Sequence, residues 1–171
     1  ILKERYQNVI AEYLFSDDDE DRIPPDLLKL HSRSKKELLL EEVLLLHKNL
    51  TGETYERLVN LYLELSLHSY SLKKLSSRRW HVVAKGIEEL TQMNVKMATK
   101  RIEELVNSSN PIIRVEAQLA LIRLNKTQPF SFLDRFTEDF TTWEKLNIHN
   151  LVERHNIQVP QFKKWLGSHN D

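Results

Sequence analysis

One stretch constrains the fold of this chain more than any other: Asn110-Pro111-Ile112-Ile113-Arg114-Val115-Glu116-Ala117-Gln118-Leu119-Ala120-Leu121. Asn is a favoured residue at the cap before a helix, because its side-chain oxygen accepts a backbone N–H that the first turn leaves over. Pro suits the first helical position, where its fixed φ is already helical and its missing N–H costs nothing. Beyond them Ile113, Ala117, Ala120, Leu121 and Leu124 recur at helical spacing on one face. Alanines inside such a stripe let a second helix approach closely. A chain built around this segment must stack helices.

The rest of the sequence agrees. The chain has 171 residues, with only three Gly and five Pro, a scarcity that helices tolerate and a turn-rich β-sandwich does not. Ile1 to Phe15 places Leu2, Tyr6, Val9, Ile10 and Tyr13 on one helical face. Ser34-Lys35-Lys36-Glu37 has the spacing of a capping box, and the Leu-rich run after it, Leu38 to Leu46, is apolar nearly all round its axis. Tyr55, Leu58, Val59, Tyr62 and Leu65 form the next stripe, and a short helix is expected around Leu72 to Leu75. Trp80, Val83, Ala84, Ile87 and Leu90 share a face. Asn94 reads as the cap of a helix carrying Val95, Ala98, Ile102, Leu105 and Val106. Phe130, Phe132, Leu133 and Phe136 suggest a short aromatic helix. Thr141-Thr142-Trp143-Glu144 is a second capping box, and Pro160 to Leu166 begins another helix.

The alanine-centred helices recur. Ala84 and Ala117 align when two copies are superposed, with Ile87 falling on Ala120, and a fainter copy begins at Thr142. A regular interval of this length marks stacked helix pairs, each touching its neighbours. The phrase Asn110-Pro111-x-Ile113-Arg114-x-x-Ala117-x-x-Ala120-Leu121 resembles the second-helix signature of HEAT repeats, and the helix holding Ala98, Ile102 and Leu105 resembles the first. The match covers Asn94 to Leu124; the family usually has Asp where Asn110 stands, and the copies at Arg78 and Thr142 lack the Pro and the Arg. The resemblance, to a bacterial HEAT-type protein of the armadillo-like class, implies an all-α superhelix of about seven to nine helices. Residues 1–77 then form an irregular helical part packed on a run of helix pairs over 78–171. It further implies that Arg114 ties neighbouring repeats together, that the second helices line a concave face, and that the function is that of a scaffold or adaptor for another protein. On this reading the candidate face is His81, Lys85, Glu88, Gln118, Lys145 and His149.

Other chemistries are disfavoured. With no cysteine there is no disulfide, thiolate zinc site or cysteine nucleophile. Asp17, Asp19 and Asp21 mimic a calcium loop, but Arg22 and Leu28 stand where that loop needs Gly and Glu. The histidines (His31, His47, His68, His81, His149, His155, His169) show no metal-binding spacing. No phosphate-cradling glycine loop or nucleophile elbow occurs; Glu88-Glu89 and Glu103-Glu104 read as solvated charge. The expectation is a chain without enzymatic activity, metal or cofactor, and without a membrane-spanning segment. Asn49, Asn107 and Asn125 begin glycosylation-like tripeptides that coincide with helix ends.

Lys+Arg and Asp+Glu both number 25, so no overall field favours nucleic acid. The best local basic cluster is Lys73, Lys74, Arg78, Arg79, His81 and Lys85 around Trp80. The plainer reading takes Trp80 as core and the cations as solvated or paired with Glu88 and its neighbours. Its alternative is a nucleic-acid or phosphate-binding helical module like the helical-repeat DNA glycosylases. The chain opens on Ile rather than Met, and Trp165 to Asn170 echoes Leu105 to Asn110. Both suggest a fragment stopping in mid-repeat, with an uncapped end suited to a homodimer, located in the cytoplasm or forming the soluble part of a membrane-anchored assembly protein.

Overall fold

The computed structural model describes residues 2–16 and 23–159. The acidic stretch Asp17–Asp21, the helix expected from Pro160 and the repeat echo near Asn170 lie outside them. Among the described residues the chain is all-helical, without a strand. The α-helices are α1 (Leu2–Phe15), α2 (Pro25–Leu28), α3 (Arg33–His47), α4 (Gly52–Glu64), α5 (His68–Lys74), α6 (Trp80–Gln92), α7 (Thr99–Glu103), α8 (Pro111–Leu124) and α9 (Thr142–His155). Two 3-10 turns, Lys96–Ala98 and Ser131–Asp134, complete them.

The central helix begins as its sequence dictates. The Asn110 side chain accepts from the backbone N–H groups of Ile112 and Ile113, at 3.0 and 3.2 Å, and Pro111 occupies the first turn. The apolar stripe Ile113, Ala117, Ala120, Leu121 and Leu124 is buried; so are Val115, Gln118 and Ile122. With α6 on one side, α7 against it and α9 beyond, α8 is enclosed on most of its circumference, as a helix apolar on several faces must be. One continuous core runs from Tyr6 on α1 to Phe136.

Three helices end alike. Ser66, Asn94 and Asn156 take left-handed backbone angles after α4, α6 and α9. The residue after each reaches back: Leu67 N–H to the Tyr62 carbonyl, Val95 to Leu90, and Ile157 to Val152, at 2.9–3.1 Å. This pattern closes a helix and tucks an apolar residue beneath it. Asn94 is thus the stop of α6 and not the cap of a following helix. A 3-10 turn and the short α7 come next, and they still bury Val95, Ala98, Ile102 and Val106. The box expected at Ser34 does not form either. The helix starts two residues earlier than that box implies, at Arg33 with Ser32 before it, and Glu37 pairs with Arg33 (2.9 Å) across one turn. The aromatic run from Phe130 is a 3-10 turn with all four apolar side chains buried.

The helices α6, α8 and α9 begin at positions 80, 111 and 142, two equal intervals of 31 residues. The superposition of Ala84 on Ala117 is therefore out of step by two. In the true register Ala117 matches Gly86, not Ala84. Gly86 is where α5 crosses α6: an added Cβ would stand 2.8 Å from the Lys74 Cβ and 3.0 Å from the Ser71 carbonyl oxygen. α5 packs along α6, so this helix contact spans position 77. Replacing Gly86 with Ala gains helix propensity of about 1 kcal/mol, but backbone must shift to admit the methyl. We expect Gly86→Ala to lower unfolding free energy by about 1–3 kcal/mol in urea melts; an increase would show that α5 is not held this close.

Candidate interaction face

The three long helices α6, α8 and α9 run in the same direction. At their N-terminal ends the first turns of α8 and α9 are bonded to each other through Arg114 and Glu144. Midway, Glu88 of α6 lies near enough to act on the charge of Glu116 of α8. At their C-terminal ends Gln92, Arg123, His155 and Asn156 line one cleft.

In the 31-residue register, the three helices carry equivalent stripes. On α6 they are His81, Lys85, Glu88 and Gln92; on α8 Ile112, Glu116, Leu119 and Arg123; on α9 Trp143, Asn147, Asn150 and Arg154. All are exposed or half-buried. His81, Lys85 and Glu88 are exposed along one stripe of α6. The members on α8 are different residues from the one expected. Gln118 is fully buried, and its amide donates to the Glu144 carboxylate at 3.2 Å, so it cannot meet a partner. It points inward because it is equivalent in register to Ile87, a core residue. Lys145 and His149 are exposed, but in the register of Arg114 and Gln118, beside the face and not within it. Ile112, Glu116, Leu119 and Arg123 are legible only from the correct interval.

Trp80, expected in the core, is on the surface, and so is Trp143. Trp80 is 47% exposed and Trp143 62%. Each lies in the first turn of its helix, ahead of the point where the neighbour packs.

Three buried glutamates each sit at a helix junction. Glu42 of α3 accepts from Gln7 of α1 at 2.5 Å and faces Lys3 at 3.6 Å. Glu89 of α6 takes the Ser71 hydroxyl at 2.8 Å and the Lys74 ammonium at 2.5 Å, while the Tyr62 hydroxyl donates to Ser71 at 3.1 Å. Burial raises the Tyr62 phenol far above its usual range, although the Ser71 contact acts against this. Glu144 of α9 has no exposed surface. It receives Arg114 Nε at 2.6 Å, Gln118, and both the backbone N–H and hydroxyl of Thr141, each at 2.7 Å. Arg114 also donates to the Ser108 carbonyl at 3.0 Å. The capping box of α9 and the bond between α8 and α9 therefore share one carboxylate. Glu89 is not the solvated charge that its sequence context suggests; it is enclosed because its helix turns that side toward α5.

At the end of the face lies a cleft of about 1100 Å³ between the C-terminal ends of α3, α6, α8 and α9 and the start of α4. Its walls include His47, Tyr55, Gln92, Arg123, Lys126, Phe130 and His155. The His47 ring meets Tyr55 edge-on at 5.2 Å, and its Nδ1 is enclosed without a hydrogen-bond partner. Burial lowers the His47 pKa, the Gln92 carbonyl opposes that, and Arg123 and Lys48 add to it. Burial likewise raises Tyr55, whose hydroxyl donates to the Gln92 carbonyl at 3.3 Å.

Asn107 and Asn125 have structural work at their turns. Asn107 donates to the Arg135 carbonyl at 2.7 Å and accepts from the Thr137 N–H; Asn125 bonds Ser131, Thr127 and Gln128. Among the described residues no group of three or more His, Asp or Glu converges as a metal site, and no helix is long and apolar enough to cross a membrane.

No protein-family model, curated protein or solved structure matches this chain.

The buried carboxylate and the enclosed imidazole both make stability fall as pH drops, in different pH windows. Burial pushes the Glu144 carboxyl up, but its bonds to Thr141 and Arg114 outweigh that, leaving it below the ordinary range. Its contribution is present above the ordinary glutamate pKa and is lost as pH falls through the lower folded value. Glu144→Gln should destabilise by about 3 kcal/mol at pH 7 and flatten the acid end of the stability profile; an unchanged profile would remove Glu144 from this role. His47 is depressed in the folded state. Stability should fall as pH drops below about 6.5, and His47→Gln should reduce that slope in denaturant titrations.

Proposed function

We propose that this chain is a HEAT-like helical scaffold, an α–α superhelix that binds another protein along the exposed face of α6, α8 and α9. One observation carries the reading. Three helices, equally spaced in sequence, present matched stripes that are exposed or half-buried, while the opposite sides of α6 and α8 are buried and that of α9 is half-buried around the enclosed Glu144. Such a face is what stacked helix pairs leave free.

Its composition suits a protein partner. Ile112 and Trp143 are exposed apolar side chains at equivalent positions, and Leu119 is half-buried between them and Arg123. Aromatic and aliphatic anchors beside charged positions are the usual make-up of a recognition surface. His81, Lys85 and Glu88 flank them on α6. Nothing in the arrangement assembles a nucleophile with a base and an oxyanion site, so the reading is non-enzymatic. This partner face replaces Gln118 with Ile112, Glu116, Leu119 and Arg123, and sets Lys145 and His149 at its margin.

The test is capture of the native partner by the purified chain. Ile112→Asp, Leu119→Asp and Trp143→Ala, each checked for unchanged helicity by circular dichroism, should each weaken capture at least about tenfold. A Lys35→Ala variant on the exposed side of α3 should not. Undiminished capture by all three face variants would overturn the proposal.

A further inference from the structure

The corner between α5 and α6 differs from the rest of the surface. Lys73 and Lys74 end α5, and Arg78 and Arg79 stand immediately before α6. Arg101 of α7 is brought to the same corner, donating to the Ser76 hydroxyl at 2.6 Å. The plainer reading of the sequence, with Trp80 in the core and the cations paired, does not hold. Trp80 is 47% exposed, held edge-to-face against His81 at 5.7 Å with an interplanar angle of 89°. Of the cations, Lys74 alone is tied to a carboxylate, the buried Glu89. Lys73 lies over the Tyr70 ring at 5.6 Å. Arg78, Arg79 and Lys85 are exposed and make no ion pair with any described residue. Arg79 caps α6 without a side-chain bond to the first turn, whereas α8 and α9 are capped by Asn110 and Thr141.

We propose that this corner, Lys73, Arg78, Arg79, Trp80, His81 and Arg101, binds a short stretch of single-stranded nucleic acid. The chain's zero net charge sets the charge of the whole, not of a patch. Here cations gather at one corner. Guanidinium groups match phosphate oxygens in a fork that an ammonium cannot reproduce. A solvent-facing indole among them offers a stacking surface for a base, and every base has a face to stack. A membrane would call for several protruding apolar side chains, and Trp80 is the one exposed large apolar residue of this turn. An acidic peptide would use the cations but not the stacking surface. The corner lies apart from the cleft and shares only His81 with the scaffold face, and the variants that test it, at Arg78, Arg79 and Trp80, leave the scaffold-face variants untouched.

The experiment is fluorescence anisotropy of labelled single strands of about 12 nucleotides, oligo-dT and oligo-U, titrated with the chain in about 50 mM salt. Binding is expected, weakening with salt. Trp80→Ala should weaken it about tenfold and Trp80→Phe much less. Arg78→Gln with Arg79→Gln should weaken it further and lower the salt slope by about 1.4, that is about 0.7 for each phosphate contact removed. Circular dichroism must show unchanged helicity in each variant. No binding at low salt would overturn the proposal. So would polyglutamate of equal charge, or vesicles rich in phosphatidylserine, binding as tightly as the oligonucleotides, or Trp80→Ala binding as the parent does.

Discussion

The structure depends on the enclosure of α8. A helix in water normally keeps one polar side; beyond its first turn α8 keeps only the narrow line of Glu116, Leu119 and Arg123 partly open. Most of the rest of it is covered by α6, α7 and α9. That demands small residues where neighbours cross, and Ala117 and Ala120 provide them. It also demands that any polar group on the enclosed sides find a partner, because an unpaired buried polar group costs far more than a satisfied one gains. Arg114 and the Gln118 amide N–H meet that demand through one residue, Glu144, while the Gln118 side-chain oxygen is enclosed without a partner.

The buried glutamates extend the same logic along the chain. Glu42, Glu89 and Glu144 each join helices separated in sequence, and each gathers donors from its partner. Breaking such a pair by removing one member is costly, even where the intact pair adds little net stability over an apolar substitute. Their value is in register: a slid helix would leave a carboxylate without its donors. Apolar stripes alone permit a helix to shift by a turn; a buried carboxylate with matched donors does not. This is how short, irregular elements such as α5 and the 3-10 turns can precede regular, aligned long helices.

Much of this is legible in the sequence, and individual residues show where legibility stops. Asn110, Pro111 and the apolar stripe specify α8 because cap chemistry and periodicity agree there. Thr141 and Glu144 announce their capping box by spacing. Asn94 does not announce its role, since Asn serves both to start a helix and to end one in the left-handed region, and only the return bond from Val95 to Leu90 decides. Trp80 fits an apolar stripe by phase, but phase says nothing of where along the axis a neighbour stops. Gln118 looks free because polar residues usually are. The buried glutamates are hidden in the sequence for the same reason. Gly86 carries the signal of the true register, because a glycine inside a helix marks a close crossing as surely as an alanine does.

α8 is the helix on which both sides of the structure are assembled. Native-state hydrogen exchange followed by mass spectrometry tests this most directly, because the most enclosed helix should open only when the whole chain unfolds. Peptides covering Val115 to Leu124 should exchange last, with an opening free energy equal to that of global unfolding, and α9 and α1 should exchange earlier. Exchange in α8 as fast as in α9, while α3 or α4 stays protected, would contradict it.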